Sequence, residues 1–318
     1  MSSDQFNNGS LPKYENHVQV FKATSDLTTQ SLQNQQPSME EAMEMMFDPE
    51  KAEAFAQKQK EQLNTMILDL EKVKKTVQNS DALDEDVRDA FTTSFLAQQS
   101  QISAQAKIMD AQLNGSGSEQ DLMIAAMEMQ EAQAVSTEKT QELQKAIYKF
   151  QDGDTFNAST LSADLTIEEF EQAAALIAYG NSTDDAMQSL AASMQTGDMS
   201  ALDDLIDMLE ETKQSMNTLA NVANASAHMT DEQKTAATDY VSATADLMDT
   251  MVTTFEGLAQ GDMSAMENLM KLPEAAQKIT SKQSAYYDVL DKRYQEYSKP
   301  SNNNTQDKKG PKNGSNNL

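Results

Sequence analysis

The sequence predicts an all-α protein, and three observations carry that prediction. Gly and Pro are scarce, at 10 and 6 of 318 residues, while Ala, Gln, Glu, Met, Leu and Lys dominate the middle of the chain, and these residues lose least on entering a helix. Apolar residues between 49 and 113 recur at three- and four-residue spacings rather than alternating. A Ser or Thr followed three positions later by an acid or Gln satisfies two orphan backbone donors at a helix start. That pattern is read at Ser38/Glu41, Ser118/Asp121, Thr166/Glu169, Ser200/Asp203, Thr230/Gln233 and Ser264/Glu267. The predicted architecture is a long coiled-coil-like helical hairpin or three-helix bundle over 38–151, then a bundle of shorter helices, with disordered N- and C-terminal tails.

Residues 1–37 are rich in Ser, Asn, Gln and Thr and lack apolar periodicity, so they are expected to be a disordered tail. Asp48-Pro49 marks a helix start, with Pro at the first helical position where its missing N–H costs nothing. The helix over 49–78 places Leu63, Met66, Leu70, Val73 and Val77 at strict 3-4-3-4 spacing, a coiled-coil seam that needs a partner, from the same chain or a second copy. A second helix over about 82–113 carries Leu83, Val87, Phe91, Phe95, Ile102, Met109 and Leu113 on a looser seam. Gly115 to Ser118 breaks the chain before a third helix reaching Phe150, and short connections favour antiparallel neighbours.

From residue 152 to 270 the helices shorten and an internal repeat is read. Residues 185–205 align on 249–269 at an offset of 64, with eight of 21 positions identical, including all of GDMSA. Gly197 and Gly261 are expected to end one helix, and Ser200 and Ser264 to cap the next. Residues 271–298 form a basic Tyr-bearing helix, and 299–318 a disordered basic tail.

Composition excludes several chemistries. With no Cys, disulfides, thiol nucleophiles and iron–sulfur ligation are absent. The two histidines, His17 in the expected tail and His228 near a helix end, do not support a Ser–His–acid triad or a His-based zinc site. Neither GxxxxGK[ST] nor GxGxxG occurs. Asp152 to Asn157 begins like a calcium loop, but Asn157 replaces its required Gly and Ala163 its final Glu. Asp203, Asp207, Glu210 and Glu211 share one helix face, read as a solvated face or a weak site for a hard cation. The 21 methionines read as core filler or as an adaptable binding surface. No cofactor and no enzymatic activity is expected.

Charge is the most informative property. The chain carries a net −27, and residues 152–270 hold 22 Asp and Glu against Lys213 and Lys234, a net of −20. Residues 271–318 reverse sign to +4. The acidic body excludes direct nucleic-acid binding by that region, because phosphate neutralisation needs Lys and Arg. It either attracts basic proteins or merely keeps the chain in solution. On the basic helix, Tyr286, Leu290, Tyr294 and Tyr297 form one stripe beside Lys282, Lys292 and Arg293, a docking element for a partner protein or a stripe packed on the bundle.

In acidity, helicity and a basic terminal helix the chain is similar to viral internal scaffolds, a resemblance of layout without a shared motif. It implies a self-associating, non-enzymatic assembly protein that docks a basic or capsid-like partner. The alternative is an exported helical effector or translocon-associated protein of a bacterial secretion system. No apolar run reaches the roughly 20 residues of a membrane helix, and the start MSSDQFNNGSLPKYENH lacks a signal peptide. The expected location is the cytoplasm, a virion or an assembly intermediate, with export lacking a cleaved signal as the other course.

Overall fold

The computed structural model describes residues 14–35, 48–113, 119–180, 200–260 and 271–298, with 262, 265 and 268. Among these the chain is all-α. The helices are α1 (His17–Gln35), α2 (Pro49–Gln78), α3 (Glu85–Leu113), α4 (Glu119–Tyr148), α5 (Ile167–Gly180), α6 (Ser200–Ala225), α7 (Asp231–Ala259) and α8 (Leu272–Ser298), with a 3-10 turn at Ala158–Thr160. No helix is long and apolar enough to cross a membrane.

Helix starts follow the local signals. Asp48 accepts from the backbone N–H of Glu50 and Lys51, with Pro49 opening α2. Thr166 and Glu169 exchange bonds at α5: Thr166 N–H donates to Glu169 Oε2 at 2.8 Å, and Glu169 N–H to Thr166 Oγ1 at 3.2 Å. Thr230 and Gln233 do the same before α7, at 2.9 and 3.2 Å. The starts read at Ser38/Glu41, Ser118/Asp121 and Ser264/Glu267 lie outside the described residues, as do Gly197, Gly261 and most of the first copy of the repeat. α4 ends at Lys149, which takes φ 59° and returns its N–H to Lys145 O at 2.8 Å.

Two apolar cores organise these helices. The first joins α2, α3 and the end of α4 around Leu63, Leu70, Val73, Val77, Phe91 and Phe95. The expected coiled-coil seam of α2 is therefore buried within one chain, Met66 partly so, against α3 and α1. α3 lies in the middle of this half, packed on α2 and on α4, while α2 and α4 scarcely touch. The second core joins α5, α6, α7 and α8 around Phe170, Ile177, Leu219, Val241, Tyr286 and Leu290. A small third cluster, Leu202, Leu205, Leu209 and Val252, closes the far end of α6 and α7.

The expectation of a disordered tail through residue 37 fails for residues 14–35. α1 lies between the two halves, packed on α2 and on α8. Val18 enters the second core, and Val20 and Ala23 enter the first. At 100° per residue Val18 and Val20 point to opposite sides, so α1 is buried on both flanks and shows no single apolar face. Its polar side chains pair along α8. Gln19 donates to Asp291 at 2.8 Å, Ser284 donates to Asp26 at 2.6 Å, and Lys22 pairs with Asp288 at 3.0 Å. This register makes α1 and α8 antiparallel. Residues read as tail-like because they are polar are hydrogen-bonding rungs.

Candidate functional site

The stripe predicted for docking lies on α8, and most of it faces inward. Tyr286 and Leu290 are buried in the second core. Tyr286 stacks on Tyr240 at 5.3 Å between ring centroids and meets Phe170 edge-on at 5.6 Å. Tyr294 is partly buried against the same core, and the side chain of Tyr297 lies outside the described residues. The cations of this helix are likewise engaged by the chain itself. Lys278 pairs with Asp246, Lys282 with Asp239 and Lys292 with Glu232, each at 2.7 Å, and Arg293 reaches Glu168 on α5 at 3.3 Å. Of the two readings of this stripe, the packed one describes Tyr286, Leu290 and Tyr294, which lie on the second core, while Lys282, Lys292 and Arg293 pair with acids of the body.

The same helix brings together residues that sequence patterns did not connect. Glu171 on α5 is only 4% exposed, and both its oxygens are engaged. His17 Nε2 on α1 lies 2.8 Å from Oε1, Tyr148 on α4 donates to Oε1 at 2.8 Å, and Tyr294 on α8 donates to Oε2 at 3.1 Å. Four helices thus meet at one carboxylate. The His17 ring stands edge-on to Tyr148 and Tyr294, with centroids 5.9 and 5.5 Å away. Loss of solvation and the adjacent Glu171 charge hold both tyrosine hydroxyls above their ordinary range. Both phenols are therefore neutral donors at physiological pH. A buried carboxylate is tolerable only when hydrogen-bonded in this way, and the geometry makes it a tie across the junction of the halves.

The other candidates of the sequence are placed plainly. In the loop after α4, Asp152 pairs with Lys145, Asp154 accepts the Gln151 N–H at 2.7 Å, and Asn157 caps the 3-10 turn. Asp203, Asp207 and Glu211 are exposed along α6. Among the described residues no group of three or more His, Asp or Glu is arranged to hold a metal ion. Methionine divides by place. Met216 and Met229 are buried core residues, whereas Met123 and Met127 on α4 are exposed.

The sequence carries a formal net charge of −27. Asp249, Asp246 and Glu232 hold the ammonium groups of Lys213, Lys278 and Lys292 above the usual lysine range by hydrogen bonding to their charged form. Comparisons with protein-family models, with curated proteins and with solved structures find no match.

Proposed function

We propose that the chain is a non-enzymatic helical assembly protein that recruits a basic protein partner through its acidic surface. One observation carries the reading: the basic cations of α8 pair with the chain's own acids, so what faces outward is a surplus of carboxylates on a chain of net −27. Such a field steers cationic partners and rejects nucleic acid. The Glu171 node supports the same reading, since its polar atoms bind helices to one another. The partner-binding surface is sought on the body rather than on the stripe of α8. Scaffold-like assembly, in a virion or elsewhere, is the form of this function that the acidic, helical layout favours.

Affinity capture at two ionic strengths tests it. Raising salt from about 0.1 M to about 1 M shortens the screening length from about 10 Å to about 3 Å. A basic protein retained at low salt and released at high salt supports the proposal. Failure to retain any cationic protein at low salt would sink it.

A further inference from the structure

α1 is inserted between two halves that touch each other little without it. The chain passes from the first half to the second through residues 149–155, and the direct contact of the halves is chiefly the one between α4 and α5 beside that crossing. There Tyr148 donates to Glu171 at 2.8 Å, and Phe150 meets Tyr148 and Tyr179 with ring centroids 5.4 and 5.5 Å away. Where α3 and α8 approach along α1, an open cavity of about 200 Å³ separates them, lined by Gln98 from α3, Gln283 and Tyr287 from α8, and Thr24 and Thr28 from α1. A single close-packed core leaves few voids of that size. Each half has a core of its own, to which α1 adds Tyr14, Val20 and Ala23 on one side and Val18 on the other.

The crossing can act as a pivot. Lys149 and Gly153 take φ 59° and 87°, and nothing lies within 4 Å of where a Cβ on Gly153 would stand. Gln151, Asp152 and Gly153 are exposed. Such a segment absorbs a change of φ and ψ without unpacking either core.

α1 is also suited to leave as a unit. It has 19 residues with no acid in its first turn and no base in its last, and Val18, Val20, Thr24, Thr28 and Thr29 are β-branched, which lowers helix propensity. A lone helix of this length and composition is marginal in water, so its order depends on docking. Its hold on α8 is made of bonds that water can replace: Asn16 and Gln19 on Asp291, Lys22 on Asp288, and Ser284 on Asp26.

We propose that α1 is a releasable strap: docked, it locks the two halves together, and when it leaves they stay folded and swing apart about residues 149–155.

The chain has no Cys, so spin labels can be placed at the exposed positions Thr93→Cys on α3 and Ser242→Cys on α7 and their separation read by double electron–electron resonance on the full chain. Val18→Asp with Val20→Asp detaches α1, because both charges are tolerated only in water. The narrow distance of the parent should then become broad, circular dichroism should lose no more helix than the 19 residues of α1, and the single melting step of the parent should split into two at lower temperature. A distance as narrow as the parent's, with the amides of α1 exchanging freely, shows that the halves hold each other without a strap. Loss of helix beyond α1 shows that they do not stand alone. Either result overturns the proposal. In the unaltered chain the amides of α1 should exchange as a group ahead of those of Leu70 and Leu219; equal protection at all three places overturns release.

Discussion

Replacing Glu171 by Ala removes an acceptor shared by α1, α4 and α8. Three donors lose their partner, at 2.8, 2.8 and 3.1 Å. A hydrogen bond to a charged group contributes about 1.5–3 kcal/mol, and a buried group left without its partner costs about 1–3 kcal/mol. The full sum overstates the loss, because the His17 side chain is 17% exposed and water can replace part of what its ring loses. The expected destabilisation is about 4 kcal/mol, within the about 3–5 kcal/mol seen when one member of a buried pair is removed. Glu171→Gln keeps the shape and an acceptor oxygen and should cost about half as much, whereas Tyr294→Phe removes one bond and should cost about 1–2 kcal/mol. Urea unfolding read by far-ultraviolet circular dichroism gives the midpoints. Near-ultraviolet tyrosine signals, including those of Tyr148 and Tyr294, show whether the junction opens before the helices melt. A Glu171→Ala midpoint within about 0.5 kcal/mol of the parent, the range of ordinary surface substitutions, would falsify the view of this carboxylate as a tie.

Val20→Asp should destabilise both halves by about 3 kcal/mol or more through an unpaired buried charge; thermal melting would be unaffected if residues 14–35 were a tail. Leu290→Ala should cost about 2–5 kcal/mol by leaving a cavity in the second core, while Lys292→Ala, at an exposed pair, should leave the melting midpoint unchanged. High pH should unfold the protein. Burial pushes the Tyr14 hydroxyl up to about 12, and it raises Tyr240, Tyr286 and Tyr287 as well, with neighbouring charges adding to the last two. The unfolded chain releases these protons near pH 10 and the folded chain holds them, so their stabilisation is complete below about pH 10 and is lost as pH rises above it. Helicity measured together with tyrosinate absorbance between pH 9 and about 12 should fall as these buried hydroxyls ionise; their ionisation without loss of helix would contradict this.

The legible parts of this fold are those whose determinants are close in sequence. A capping box needs only positions i and i+3, so Thr166/Glu169 and Thr230/Gln233 announce α5 and α7 without reference to the rest of the molecule. The seam from Leu63 to Val77 likewise announces a buried face, but a periodicity cannot say what covers it, and here α1 and α3 do. α1 was illegible for a physical reason. A helix clamped on both flanks has no amphipathic period to display, and the partners of its polar residues, Asp291 for Gln19 and Ser284 for Asp26, lie 272 and 258 residues away. The only local hint was Val18, Val20 and Phe21 close together beside one of the chain's two histidines. The docking stripe on α8 shows the same limit from the other side. The spacing of Tyr286, Leu290 and Tyr294 marks a face that will be covered, and nothing in that spacing distinguishes a foreign partner from α1, α5 and α7. Glu171 illustrates it most sharply, because the carboxylate's three partners are separated from it by 154, 23 and 123 residues. Helices are written locally, whereas the junction that holds the two halves together exists only once α1 and α8, the first and last of the described helices, have met.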